Sequence, residues 1–286
     1  MNPTNDLFLN KKCFIAGGST GIGFSLAKKL VQSGANVHIL ARTEASLKNA
    51  VQDLQSYRIS PDQKIGYIIG DVSDSEKIRI VLSDFQHEHG TPDFLFNCAG
   101  VVHPGRFEEL SLEKFRWMVD INYLGSVYVI SAFLPAMLAR KTGHIINIGS
   151  GASFLGIYGY TAYSGSKFAI RGMSDALRSE IRPYNIALSI VYPPDTQTPQ
   201  LEYEEKYKPA ITKEISGVIK PLSAEWVAEK ILAGVKKRKY VIIPDFQTRL
   251  LYRLNSLLGD GAYRVMDWMM DNAIRKHGLP KVQKMD

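Results

Sequence analysis

Short runs of consecutive apolar residues alternate along this chain with longer stretches in which apolar side chains recur every three or four positions. A short continuous run suits a strand buried on both faces, whereas the three-to-four spacing lays one apolar stripe along a helix. The runs predict strands at 12–16, 36–41, 64–69, 94–96, 144–148 and 186–192. The periodic stretches predict helices at 22–31, 113–120, 125–140 and 161–182. Ser73, with Glu76 three residues on, reads as the capping box of a further helix. Strand–helix alternation implies one α/β domain, a doubly wound parallel sheet with helices on both faces. In such sheets ligands lie beyond the carboxyl ends of the strands, so the residues that follow each strand come first as candidates for chemistry.

After the first strand runs Gly17-Gly18-Ser19-Thr20-Gly21-Ile22-Gly23. Glycines permit a tight strand-to-helix turn and a close approach of backbone to phosphate, and the amides of the following helix hold the anion. The spacing is Gly-x-x-x-Gly-x-Gly rather than the commoner Gly-x-Gly-x-x-Gly. The second strand ends without an acidic residue and is followed by Arg42. A carboxylate there would bind a ribose 2′-hydroxyl, while an arginine accommodates a 2′-phosphate, so the pattern favours NADPH over NADH. Ser19, Thr20 and Ser46 are further hydroxyls for that phosphate. Asp71, after the third strand, is placed to accept from an adenine amino group, and Asn97-Cys98-Ala99-Gly100 leaves room for a ribose.

The fifth strand delivers Ser150, and Tyr163 and Lys167 follow one helical turn apart, so phenol and ammonium share a helix face. A free tyrosine has a pKa of about 10. A lysine cation about 4–5 Å away would stabilise the phenolate and bring that pKa down by about two units, suiting the pair to proton transfer at a ketone or alcohol oxygen.

These motifs resemble the short-chain dehydrogenase/reductase family: the glycine turn, the Asn-x-Ala-Gly strand end, and Asn122, Ser150, Tyr163 and Lys167 as a tetrad. The resemblance covers about residues 11–245 and implies a Rossmann-type fold, NADP(H) as cofactor, and hydride transfer to a carbonyl carbon. It implies that Tyr163 donates the proton, Lys167 also holds the nicotinamide ribose, Ser150 positions the carbonyl and Asn122 supports a water-linked proton path. It extends the cofactor-binding set to Gly17, Gly21, Ile22, Gly23, Val72, Asn97, Ala99, Gly100, Pro193, Thr196 and Thr198. The strings 121–128 and 161–172, and above all Tyr192-Pro193-Pro194-Asp195-Thr196-Gln197-Thr198-Pro199, are similar to the 3-ketodihydrosphingosine reductases. That likeness implies NADPH-dependent reduction of 3-oxosphinganine to sphinganine in sphingoid-base synthesis. A steroid, a retinoid or another bulky lipophilic carbonyl or alcohol is the alternative, because substrate choice lives in loops. The prolines stiffen the stretch after the sixth strand, and 193–222 reads as one long irregular lid.

Eukaryotic members of that group carry apolar spans near both ends. This chain begins Met1-Asn2-Pro3-Thr4-Asn5-Asp6, with no signal peptide expected and no transmembrane run of about 18 apolar residues. A cytoplasmic protein is expected, open to peripheral contact on a membrane face. Residues 246–286 form an amphipathic tail with two stripes: Leu250, Leu251, Leu254, Leu257 and Leu258, then Val265, Met266, Trp268, Met269, Met270 and Ile274. Arg249, Arg253, Arg264, Arg275 and Lys276 accompany them. The stripes suit packing on the body of the domain, a lipid surface or acyl chain, or contact within a homo-oligomer.

At 286 residues and 45% hydrophobic content the chain can bury one substantial core. Its net charge of +7 has one dense run, Lys236-Lys237-Arg238-Lys239, without interleaved aromatics, which fits a solvated helix end or anionic lipid better than nucleic acid. Cys13 and Cys98 both fall in predicted core strands, away from any metal-ligand cluster, and read as reduced thiols; no metal is expected.

Overall fold

The computed structural model describes residues 6–216 and 220–279. Its strands are β1 (Lys12–Ala16), β2 (Asn36–Ala41), β3 (Ile65–Ile69), β4 (Phe94–Asn97), β5 (Gly143–Ile148), β6 (Ile186–Val191), β7 (Thr196–Gln197), β8 (Leu222–Ser223) and β9 (Val241–Ile242). Seven of them form one parallel sheet in the order β3-β2-β1-β4-β5-β6-β9, while β7 and β8 pair on their own. The helices are α1 (Gly21–Gln32), α2 (Glu44–Gln55), α3 (Ser75–His89), α4 (Leu112–Val119), α5 (Gly125–Arg140), α6 (Thr161–Ile181), α7 (Pro199–Tyr207), α8 (Ala210–Ser216), α9 (Ala224–Lys236), α10 (Phe246–Leu258) and α11 (Gly261–His277).

β1 explains why the sheet is buried on both sides. Successive strand residues point to opposite faces, and here Ile15 enters one apolar layer and Phe14 the other. On the Ile15 side α1, α2 and α9 contribute Leu26, Leu30, Leu47, Leu54, Val227 and Ile231. On the Phe14 side α3, α5 and α6 contribute Ile78, Leu82, Val129, Phe133 and Ile181. Truncating such a side chain, Phe14→Ala for instance, would cost about 3–5 kcal/mol. Strand order reverses between β1, which leads to β2 on one side, and β4 on the other, and that reversal opens a crevice at the strand ends.

Three local expectations are corrected. The Asp71 carboxylate accepts both the Ser73 amide (2.9 Å) and its hydroxyl (2.7 Å), so Ser73 is spent in a turn. Asp74 instead caps α3, accepting the Lys77 amide at 3.1 Å. The 193–222 stretch is not irregular: the Thr198 hydroxyl accepts the Leu201 amide (3.2 Å) with Pro199 in the first turn, which starts α7, and α8 follows. Finally, the helical run Leu112–Arg140 is long and apolar enough, by length and composition, to cross a membrane. It packs in this domain as a core element, α4 on α6 and α5 on α3.

The tail docks through residues outside its leucine stripe. Asn255 donates to the Phe154 carbonyl (2.9 Å), Tyr252 lies edge-on to the Phe154 ring, and Lys276 pairs with Glu214 of α8 at 2.8 Å. Leu250, Leu251, Leu254, Leu257 and Leu258 all remain exposed, as do Val265 and Trp268.

Candidate active site

Two adjoining recesses, of about 260 and 180 Å³, open along the strand carboxyl ends and share Gly17, Ser19, Ala99 and Gly100. The glycine turn forms their floor. Gly17 has φ +79°, and a Cβ there would sit 2.5 Å from the Ala99 amide nitrogen. A Cβ on Gly23 would meet the Gly17 carbonyl oxygen at 2.0 Å, so α1 starts this close to β1 only with glycine. Thr20, in an extended conformation, makes no side-chain cap bond, and the first turn of α1 has no acidic residue. The amides and positive dipole end of a twelve-residue helix are therefore left for an anion.

The smaller recess holds Arg42, Ser46, Asp71 and Val72 along with Thr43. Arg42 is exposed and lies 4.0 Å from the Asp71 carboxylate. The larger recess holds Thr20, Gly21, Ile22, Gly23, Ser150, Tyr163, Lys167, Pro193, Thr196 and Thr198. Asn97 lines neither. Its side-chain amide donates to Asn147 (2.8 Å) inside the sheet, and its Oδ1 has no hydrogen-bond partner among the described residues. Asn122 also stands outside the lining. It sits in a π-turn, Asp120–Leu124, between α4 and α5, where the Ser126 hydroxyl donates to the Asn122 carbonyl. Its side chain accepts the Val101 amide (2.7 Å) and donates to the Val101 carbonyl and the Ser166 hydroxyl (2.9 Å each). Ser166 in turn donates to the Tyr163 carbonyl (2.7 Å), so Asn122 braces the turn of α6 that carries the phenol.

Ser150 opens a short 3₁₀ turn; its hydroxyl accepts the Ala152 amide and its own amide donates to Ser153. Lys167 donates to the Ile148 carbonyl (3.0 Å), and its ammonium lies 5.6 Å from the centre of the Tyr163 ring. The expected lowering of the Tyr163 pKa is not found. Burial raises it, the Ser150 hydroxyl works against that rise, and the charges of Glu204 and Asp195 add to it. The ammonium bears the cost instead: burial pushes Lys167 down to about 8. The phenol is thus held protonated at neutral pH, which is the form a proton donor needs. Cys98 falls one residue past β4 and lines the larger recess rather than filling a strand; burial pushes its thiol up to about 12, so it is inert as a nucleophile.

The outer wall contains residues that sequence reasoning missed. Tyr160, just before α6, donates to Glu204 of α7, and Lys208, just after α7, lies 3.4 Å from Glu204 and 3.7 Å from Asp195. The i,i+4 spacing of Glu204 and Lys208 was the available signal; that the pair faces inward is set by distant contacts. His103, after β4, hydrogen-bonds the Tyr203 hydroxyl at 2.7 Å and holds α7 from the other side. Among the described residues no group of His, Cys, Asp or Glu could hold a metal ion.

A sheet-edge crevice with an uncapped helix start, a serine and a Tyr-x-x-x-Lys turn defines a nucleotide-dependent oxidoreductase site. The chain belongs to the short chain dehydrogenase family, whose pattern it matches over residues 11–208. It is 42% identical over 76% of its length to a 3-ketodihydrosphingosine reductase of Mus musculus, of which it spans 66%. It is 32% identical over 96% of its length to the 3-ketodihydrosphingosine reductase of Dictyostelium discoideum, covering 87% of that protein. A short-chain dehydrogenase from Sphingobium yanoikuyae, in complex with NADPH, superposes with a TM-score of 0.73 at 22% identity over 96% of this chain and 98% of that one, a likeness of fold.

Proposed function

We propose that this chain reduces the ketone of 3-oxosphinganine to the alcohol of sphinganine with NADPH. The observation that carries the reading is one recess joining Tyr163, Ser150 and Lys167 to the open start of α1, in a chain similar over most of its length to reductases named for that ketone. The glycine turn and the α1 amides would hold the pyrophosphate. Arg42, Ser46 and Asp71 would face the adenosine end, and Lys167 with Ala99 and Gly100 the nicotinamide ribose. The reduced nicotinamide supplies the hydride when bound. The chain's own work is to seat the ketone oxygen between the Ser150 and Tyr163 hydroxyls and to pass it the Tyr163 proton. Asn122 keeps that phenol in register through Ser166.

The exposed leucines of α10, with Arg249 and Arg253 beside them, suit a membrane surface from which a lipid ketone is drawn. Homo-oligomerisation belongs to the same proposal, read from the family resemblance, and sedimentation velocity tests it. The activity is tested by following NADPH consumption with 3-oxosphinganine beside steroid ketones and retinal. The expected result is turnover on the sphingoid ketone at least about tenfold above the others. Turnover confined to a steroid or retinoid carbonyl would replace this substrate by the bulky-carbonyl alternative.

A further inference from the structure

Resting on that reading, we propose that Glu204, assisted by Asp195, recognises a primary ammonium carried on the carbon next to the reacting ketone. The outer wall of the larger recess contains both carboxylates and a single ammonium, Lys208. Lys208 is almost fully buried, and its closest partner is Glu205 on the outside of α7, at 2.5 Å, with Glu204 and Asp195 further off. Three carboxylates thus share one cation, and the two that face the recess are left under-neutralised. Lys167, the other cation of the recess, is committed to the Ile148 carbonyl behind Tyr163.

Glu204 is prepared for a ligand rather than for packing. Its side chain is 13% exposed; the Tyr160 hydroxyl donates to Oε1, and the Lys208 ammonium lies nearest that same oxygen, at 3.4 Å. Oε2 accepts no hydrogen bond from the described residues and belongs to a side chain lining the recess. Burial raises the Glu204 carboxyl, with Tyr160 and Lys208 pulling it back down, so a cation arriving at Oε2 would be favoured by an incompletely satisfied charge. The Tyr160 ring lies 5.9 Å from that of Tyr163, and the Glu204 and Asp195 charges are felt at the Tyr163 phenol. The recognition wall and the proton donor therefore border the same space. A ketone seated on Tyr163 carries its neighbouring carbon toward that wall. A buried carboxylate is costly unless fully paired, and an ammonium substrate adds a cation to two carboxylates that share Lys208 with Glu205. A neutral ketone of equal length would leave Glu204 as it is, and so the wall would discriminate by charge.

The test compares 3-oxosphinganine with its N-acetyl derivative, which keeps the chain and ketone and loses the charge, in the wild type and in Glu204→Gln. Glutamine preserves size and the acceptor for Tyr160. The expected result is a KM for 3-oxosphinganine raised roughly 10- to 100-fold by the substitution, with kcat altered far less. The N-acetyl ketone, already poor for the wild type, changes little. Asp195→Asn gives a smaller shift in the same direction. Calorimetric titration of sphinganine and N-acetylsphinganine into the protein reads the same preference without turnover: the wild type favours the amine, and Glu204→Gln loses that preference. Equal losses on both substrates in Glu204→Gln, reproduced by Tyr160→Phe, would show Glu204 to be a structural tie between α7 and α6 and would overturn the inference. Absence of turnover on 3-oxosphinganine by the wild type would instead sink the proposed function, and the titration would still decide the amine preference: equal binding of the two ligands overturns it.

Discussion

The two halves of the crevice are built by different means. The half proposed for the nucleotide is made of strand ends and a helix start, fixed by backbone: a Cβ at Gly17 or Gly23 would strike main-chain atoms. The half proposed for the substrate is a wall of side chains from α7, its flanking loops and the turn before α6, held by Lys208 and by tyrosine hydrogen bonds between residues far apart in sequence. Rigid backbone suits a ligand common to a whole family, whereas loops carrying exchangeable side chains suit a ligand peculiar to one member. The helical tail extends the second kind of construction, docking by a few contacts and leaving an apolar stripe outside.

Tyr163→Phe, at the border between the halves, gives the largest effect. It should lower kcat by about 10²- to 10⁴-fold while NADPH affinity, measured by fluorescence titration, stays within about twofold. A comparable loss of NADPH affinity would mean that the border residue belongs to the nucleotide half.

Lys167→Met separates function from stability. The folded pKa of about 8 lies below the ordinary lysine value of 10.5. The unfolded chain therefore binds the proton more tightly, and burying this cation destabilises the fold below pH 8. Wild-type stability should rise as pH passes from about 8 to 10.5. Denaturant melts of the methionine variant should show a gain of about 2–3 kcal/mol at pH 7 that fades at the alkaline end, together with loss of activity. A destabilised variant at pH 7 would show that the bond to Ile148 outweighs desolvation.

Arg42→Asp sharpens the nucleotide side. The ratio of NADPH to NADH efficiency should fall roughly 10- to 100-fold through loss of a phosphate partner and repulsion. An unchanged ratio would place the phosphate contact elsewhere. The smallest effect concerns the tail: Leu257→Asp, at a highly exposed position, should leave stability within about 0.5 kcal/mol and reduce co-sedimentation with anionic liposomes roughly tenfold. Undiminished co-sedimentation would remove the stripe from the membrane-facing role.

The same division governs how far the amino-acid sequence could be read. Cys13 to Ala16 announce a buried strand by composition alone, and the glycine turn, Ser150, Tyr163 and Lys167 are marked by short-range spacing. The parallel sheet and its crevice follow from those local patterns. Where long-range contacts decide, local pattern is not enough. Ser73 and Glu76 satisfied the capping pattern, yet Asp71 captured Ser73 first. Thr198-Pro199 carries a helix-start signal, but the prolines around it suit a stiffened loop equally well. Helix geometry places Lys167 beside Tyr163 but contains no information on burial, and burial decides the sign. Glu204 and Lys208 carry one local signal, an i,i+4 spacing shared by any surface helix pair, and nothing local says that they face inward.

The proposed reduction depends on a phenol kept protonated by its surroundings and a neighbouring ammonium that burial pushes down to about 8. The pH profile of kcat/KM for ketone reduction at saturating NADPH tests both together. Efficiency should hold level from about pH 6 to 7.5 and decline above about 8 as Lys167 loses its proton. An efficiency that climbs steadily from neutrality to pH 9, as an ionised Tyr163 acting in place of a donor would give, contradicts it.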